Sequence, residues 1–571
     1  RMTCTRRSCR ASRVSFLMSM VSIIPIWWHY PIFQVKYCRI NSWQNRRLRG
    51  QINDCRTVKK MTPLLRRILR QKFLAVLAAS VLCGLVGVGP VAYAKPDDKL
   101  AQDDVRHLLN RTGFAASMAD INTLTGLSRK QAAEQLLAAT RDVAITPPPA
   151  WVTTPITPAT KLRDMTPEQR QAELRLNNER AIDLREWWFR EMLATPSPLT
   201  EKMTLFWHNH FATSQQKVRF SSLMYQQHVL LRKNALGNFG SMLRQVARDP
   251  AMLIYLDNAN SRREQPNENF AREVMELFTL GEGSYTEQDI KEMARAFTGW
   301  SLDRETGEFL FRRAIHDAGT KTIFGKRGNF EGDQALDLLL KRPETAQFIT
   351  KKLWREFVSP APDDVEVARL ATVFRDSGYN IAKLMQAILV SDAFYAPENR
   401  GALVKSPVEF VVGTLKLFDI KTPNLRPFVF ASALLGQNVF APPNVKGWPG
   451  GEVWINSATL LGRKQFVDRL FRNEDRMEPV MNALDEMADR SGTPPPPGRA
   501  QRQQRLAERA MSALNWNLDT WSSTFNQPSA RDNIANMAKV VLAVTPSRLP
   551  VGGNPSDWAR TFVADPAYHL K

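Results

Sequence analysis

Apolar residues recur every three to four positions through most of the chain beyond residue 100, and helix-start chemistry precedes the runs. Thr166-Pro167-Glu168-Gln169 is a capping box with proline at the first helical position; it opens a predicted helix to about Leu193 carrying Trp187, Trp188 and Phe189. Ser406-Pro407-Val408-Glu409 repeats that chemistry before FVVGTLKLF. Thr286-Glu287-Gln288-Asp289 caps IKEMARAF, which stops at Gly299, and Ser128 with Gln131 starts another helix. PETAQFITKKLWREFV, DDVEVARLATVFRDSG and SATLLGRKQFVDRLF keep the same period.

One segment departs from this pattern. EFLFRRAIHDAGTKTIFG alternates weakly around Asp317-Ala318-Gly319 and predicts an irregular β-hairpin. Proline-rich TPPPAWVTTPITP (146–158) reads as an extended connector, and TPPPPG (493–498) as a second one leading into a polar tail. No internal repeat is visible, and no apolar run after residue 94 is long enough to span a bilayer. The expected architecture is mainly α: one large multi-helix domain (95–473) with a single small β-hairpin. A polar, Pro/Arg-rich linker and helical tail (474–571) follow.

Charge changes the picture less than its total suggests. The formal +22 is concentrated in residues 1–94, with 17 Lys+Arg against 1 Asp+Glu; the remainder has 61 against 55. A body so near balance gives no electrostatic reason to propose a nucleic-acid partner. All five cysteines, Cys4, Cys9, Cys38, Cys55 and Cys83, lie in that same leader. The rest of the chain therefore has no disulfide, thiolate metal site or cysteine nucleophile.

From Met61 the leader reads as an export signal. Arg66, Arg67, Arg70 and Lys72 precede the apolar run FLAVLAASVLCGLVGVG, and Ala92 and Ala94 occupy small-residue cleavage positions. Cleavage is expected after Ala94, giving a periplasmic or secreted protein with no membrane span in its mature part. Residues 1–60 include an apolar run, VSFLMSMVSIIPIWWHYPIF, long enough to cross a bilayer. They are read as an over-extended gene start, because a complete signal beginning at Met61 is redundant behind an anchor.

Four stretches carry candidate chemistry. Phe206-Trp207-His208-Asn209-His210-Phe211 places two of seven histidines one residue apart among aromatics. On a helix they point about 200° apart; in extended backbone they share a face. Packing histidines and metal ligands both fit the spacing. In Asn267–Phe278, Asn269, Glu273 and Glu276 share a polar face beside the apolar stripe Phe270, Val274 and Leu277. Such a face suits a divalent cation, paired carboxylates, or a solvated surface with Arg272 on Glu276. His316-Asp317 at the expected hairpin tip suits a ligand pair, a base with its orienter, or a turn closed by Gly319. Pro442–Gly451 is a rigid loop around Trp448. Serine-hydrolase, nucleotide and dinucleotide signatures (G-x-S-x-G, Walker A, G-x-G-x-x-G) are missing.

Together these stretches resemble the bacterial domain-of-unknown-function 1800 family. The resemblance rests on HLLNRTGF (107–114), EKMTLFWHNHFATS (201–214) and ARDPAMLIYLDN (247–258). It continues through PNENFAREVMELFTLGEGSYTEQDIKEMARAFTGW (266–300), HDAGTKTIFG (316–325), KSPVEF (405–410) and PPNVKGWPGG (442–451). It covers about residues 103–465 and implies a large, exported, mainly helical protein with no established activity. It also implies, weakly, a partner from a second exported family with a sulfatase-like or phosphatase-like domain. It carries over positions and not roles: His208, His210, Glu268, Glu273, Glu276, His316 and Asp317 fall inside the motifs.

Two classes of function follow. In the first, His208 or His210, Glu273, Glu276 and His316 converge on one aromatic-walled site that binds a divalent metal or shares protons, for a hydrolytic reaction. Glu273, Glu276, His316 and Asp317 are then the candidate catalytic groups. In the second, the same residues only join helices, and the protein is a non-catalytic periplasmic binding or scaffold module acting with a partner enzyme. The residues alone leave open whether the protein is an enzyme.

Overall fold

The computed structural model describes residues 99–472, 518–525 and 529–571. The leader with its expected signal, and the second proline-rich connector, lie outside them. Among the described residues are 23 α-helices and two small antiparallel sheets. Seven helices build the centre. They are α1 (Pro167–Ala194), α2 (Pro198–His210), α3 (Ser221–Lys233), α4 (Glu268–Glu276), α5 (Glu287–Ala296), α6 (Pro343–Phe357) and α7 (Pro407–Leu417).

The start signals act as their chemistry dictates. Thr166, Thr286 and Ser406 each accept from the backbone N–H three residues on, and Gln169, Asp289 and Glu409 reach back to close the box. The α1 helix runs 28 residues and buries Trp187, Trp188 and Phe189. The centre of the fold is one continuous apolar core in which Trp188, Trp207, Trp354, Phe211 and Phe270 are almost wholly buried. No described helix is long and apolar enough to cross a membrane.

The β region needs a correction of detail. The stretch expected to pair with itself contributes one strand to each of two sheets. β2 (Phe309–Phe311) pairs with β1 (Trp300–Leu302), and β3 (Lys321–Ile323) pairs with β4 (Lys326–Gly328). Local turns decide this. Asp303 Oδ1 accepts from the N–H groups of Glu305 and Thr306, folding β1 back onto β2. Phe324 (φ 50°) and Gly325 (φ 73°) form a two-residue left-handed turn between β3 and β4.

The C-terminal segment joins the same core. Trp521 Nε1 donates to the carbonyl of Leu417 at the end of α7. Tyr568 is buried with its hydroxyl 2.7 Å from Thr414 Oγ1, and Val404 and Leu570 form an antiparallel bridge. Lys571 Nζ reaches Glu409 Oε1 (2.5 Å) and Glu356 Oε1 (3.0 Å) beside buried Lys202, which also pairs with Glu409.

Candidate functional site

The hexapeptide FWHNHF forms the last turn of α2, which ends with Phe211 as its cap. Helical spacing therefore sends its three polar side chains in three directions. His208 turns toward α3, where its Nε2 lies 3.1 Å from His228 Nδ1. Trp188 and Phe440 pack on both rings. Burial alone pushes the His208 imidazole down to about 3. His228 is lowered as well, by burial and then by His208. Trp188 in turn donates through Nε1 to Glu201 Oε2 (2.8 Å), and Glu201 and Glu191 flank the buried Arg232.

His210 faces a different wall. Its Nε2–H donates to the carbonyl of Phe278 (3.1 Å), just beyond α4. That leaves Nδ1 as an acceptor, and Lys352 of α6 donates to it at 3.0 Å. Burial, then the charge of Lys352, holds His210 well below the usual histidine range, against the opposing Phe278 bond. Burial, then nearby Arg355, pushes the Lys352 amine down to about 8.

Asn209 points toward the Pro442–Gly451 loop. Its Oδ1 accepts from Trp448 N (2.6 Å), and its Nδ2 approaches the Trp448 carbonyl (3.4 Å). Gly447 (φ 83°) lies so close that a Cβ there would be 2.2 Å from Asn209 Oδ1. This contact brings Lys446 to α4, 3.9 Å from Glu276 and 3.4 Å from Glu282. Glu276 Oε2 also accepts from Tyr285 Oη at 2.7 Å. Tyr285 is raised by burial and then by that bond. Glu273, half-buried one turn back, is raised by burial and then by Glu276, with Lys446 and Arg272 opposing. Glu268 and Asn269 are exposed, and Arg272 pairs with Glu287 rather than with Glu276.

His316 and Asp317 form a third location. The buried His316 Nδ1 lies 2.8 Å from the Thr298 carbonyl, and its ring meets Phe311 edge-on. Asp317 accepts from Arg295 Nε at 2.7 Å and closes an Asx turn with the N–H of Gly319. The Arg295 bond lowers the Asp317 carboxyl. This is the turn alternative, fixed to the body by α5.

His208, His210, Glu273, Glu276 and His316 are thus not gathered at one point. Among the described residues no three His, Cys, Asp or Glu side chains form a group able to hold a metal ion. What the fold does assemble is a junction of three motifs at the C-terminal end of α4. Asn209 and His210 come from α2, Glu273, Glu276, Phe278 and Tyr285 from α4 and its exit, and Lys446 to Trp448 from the proline-glycine loop. Lys352 and His228 were not candidates from the sequence. His228 sits at ordinary helical spacing, and Lys352 lies in a helix whose pattern reads simply as amphipathic.

This helical body, with seven sequence motifs drawn into one core, defines a class that the comparisons also find. The family model described as "Protein of unknown function (DUF1800)" matches residues 107–568, and the chain belongs to that family. Neither curated proteins nor solved structures give a match.

Proposed function

We propose that this protein is an exported binding or scaffold module that engages a partner through the junction at the end of α4. One observation carries the reading. Motifs far apart in sequence meet there, their buried imidazoles are engaged in packing contacts, and the groups left partly open are Glu273, Glu276, Tyr285 and Lys446. Polar groups fixed on a rigid rim suit recognition of a partner surface. The partner to test first is the exported sulfatase-like or phosphatase-like protein that the family resemblance implies.

The test is co-purification of that partner with tagged protein expressed from Met61. Retention by wild type, and loss in Tyr285→Phe and Lys446→Glu at unchanged melting temperature, is the expected result. The mature N-terminus should read Lys95. Turnover of sulfate or phosphate esters by the purified chain alone, abolished by Glu276→Gln, would overturn the reading in favour of a hydrolase.

A further inference from the structure

Behind the junction lies an arrangement that partner binding does not require. Lys352 projects from α6 with Nζ 3.0 Å from His210 Nδ1 and 3.4 Å from the Leu277 carbonyl. The ring of Phe348 covers one side, with its centroid 5.0 Å from Nζ. The residue is only partly buried. Lys202 and Lys571 meet Glu409 and Lys217 meets Asp257, whereas Lys321 and Lys405, like Lys352, bond to backbone carbonyls. Among the described residues no carboxylate forms an ion pair with Lys352. Partial burial against Phe348 without a counter-ion disfavours the ammonium relative to the neutral amine.

The His210 tautomer supports the same conclusion. Its Nε2–H is committed to the Phe278 carbonyl, so Nδ1 presents a lone pair to the amine. Nucleophile, base and orienting group thus stand in line within hydrogen-bonding distance.

We infer that Lys352 is a nucleophilic amine, assisted by His210, that captures small aldehydes as an imine. The amine lone pair attacks the carbonyl carbon, forming the C–N bond as the carbonyl π-electrons move to oxygen. The proton lost from nitrogen is relayed through His210 Nδ1, whose ring the Phe278 bond holds in place. The alkoxide recovers that proton to give the neutral carbinolamine, and the remaining N–H proton follows the same route to the hydroxyl, which leaves as water as the C=N bond forms, so amine and aldehyde yield imine and water. The substrate class is an unhindered aldehyde, since Phe348 and the α4 exit crowd the amine.

The experiment uses glycolaldehyde with sodium cyanoborohydride, which fixes any imine as a secondary amine, followed by peptide mass spectrometry. At pH 7.5 Lys352 should label at least about tenfold faster than exposed Lys217, because more of its amine is unprotonated. Its labelling rate should rise with a midpoint near 8. The charged or titratable neighbours facing it are His210 and Arg355. In His210→Gln, the Lys352 rate should fall about tenfold while Lys217 is unchanged. A wild-type Lys352 rate equal to that of Lys217, or a midpoint near 10, overturns the inference even if the variant fails to fold. An equal rate in a folded His210→Gln removes the histidine's part in it.

Discussion

Asn209 shows how one side chain organises a surface. It sits between two histidines that serve different walls, and it alone of the three holds the loop that delivers Lys446. Asn209→Ala leaves the buried Trp448 N–H without its acceptor, at a cost of about 1–3 kcal/mol in chemical denaturation. Gly447→Ala should do comparable damage from the other side, since its methyl group would occupy the position of Asn209 Oδ1. The sequence left His208 and His210 open between a helix that parts them and extended backbone that joins them; α2 runs through His210 and so parts them. Their partners were not legible. Lys352 is 142 residues from His210, and no local pattern marks a contact at that range.

At the scale of the element, boundaries written in side-chain chemistry were readable. Each capping box found in the sequence begins a helix, because cap and backbone lie within one turn of each other. Strand pairing was less readable. Weak alternation from 308 to 325 marked two short strands, but the turns at its edges, Asp303–Thr306 before it and Phe324–Gly325 at its end, chose the partners. The Ser406 box has a second duty, since Glu409 uses Oε2 on the Ser406 N–H and Oε1 on Lys571. Ser406→Ala should therefore cost about 1 kcal/mol for the cap. A larger loss in a thermal melt would show that the box also positions Glu409 for Lys571.

The whole molecule carries most of its histidines buried and neutral. His107, His208, His210, His228 and His569 are all held below the ordinary range, mainly by burial, His208 to about 3 and His569 to about 4. A depressed folded-state pKa means that the unfolded chain binds the proton first as pH falls. The histidine part of the stability should be full above about 6.5 and decline toward 4, His208 alone accounting for about 3 kcal/mol of the loss, while Asp249, raised by burial to about 7, opposes the trend. Urea midpoints across that window check this, and His208→Asn should flatten the slope. A protein equally stable at pH 7 and pH 4.5 would contradict it.

At this scale the family match to residue 568 agrees with the packing of the C-terminal segment. The sequence showed a polar tail there because the burying contacts lie on α7, far upstream. Lys571 meets Glu409 across 162 residues. A ribosome completes α7 long before it supplies Tyr568 and Lys571, which meet Thr414 and Glu409 of that helix. Until then the buried Lys202–Glu409 pair lacks Lys571 as its third member. Closure of this part of the core therefore waits for residues near 570.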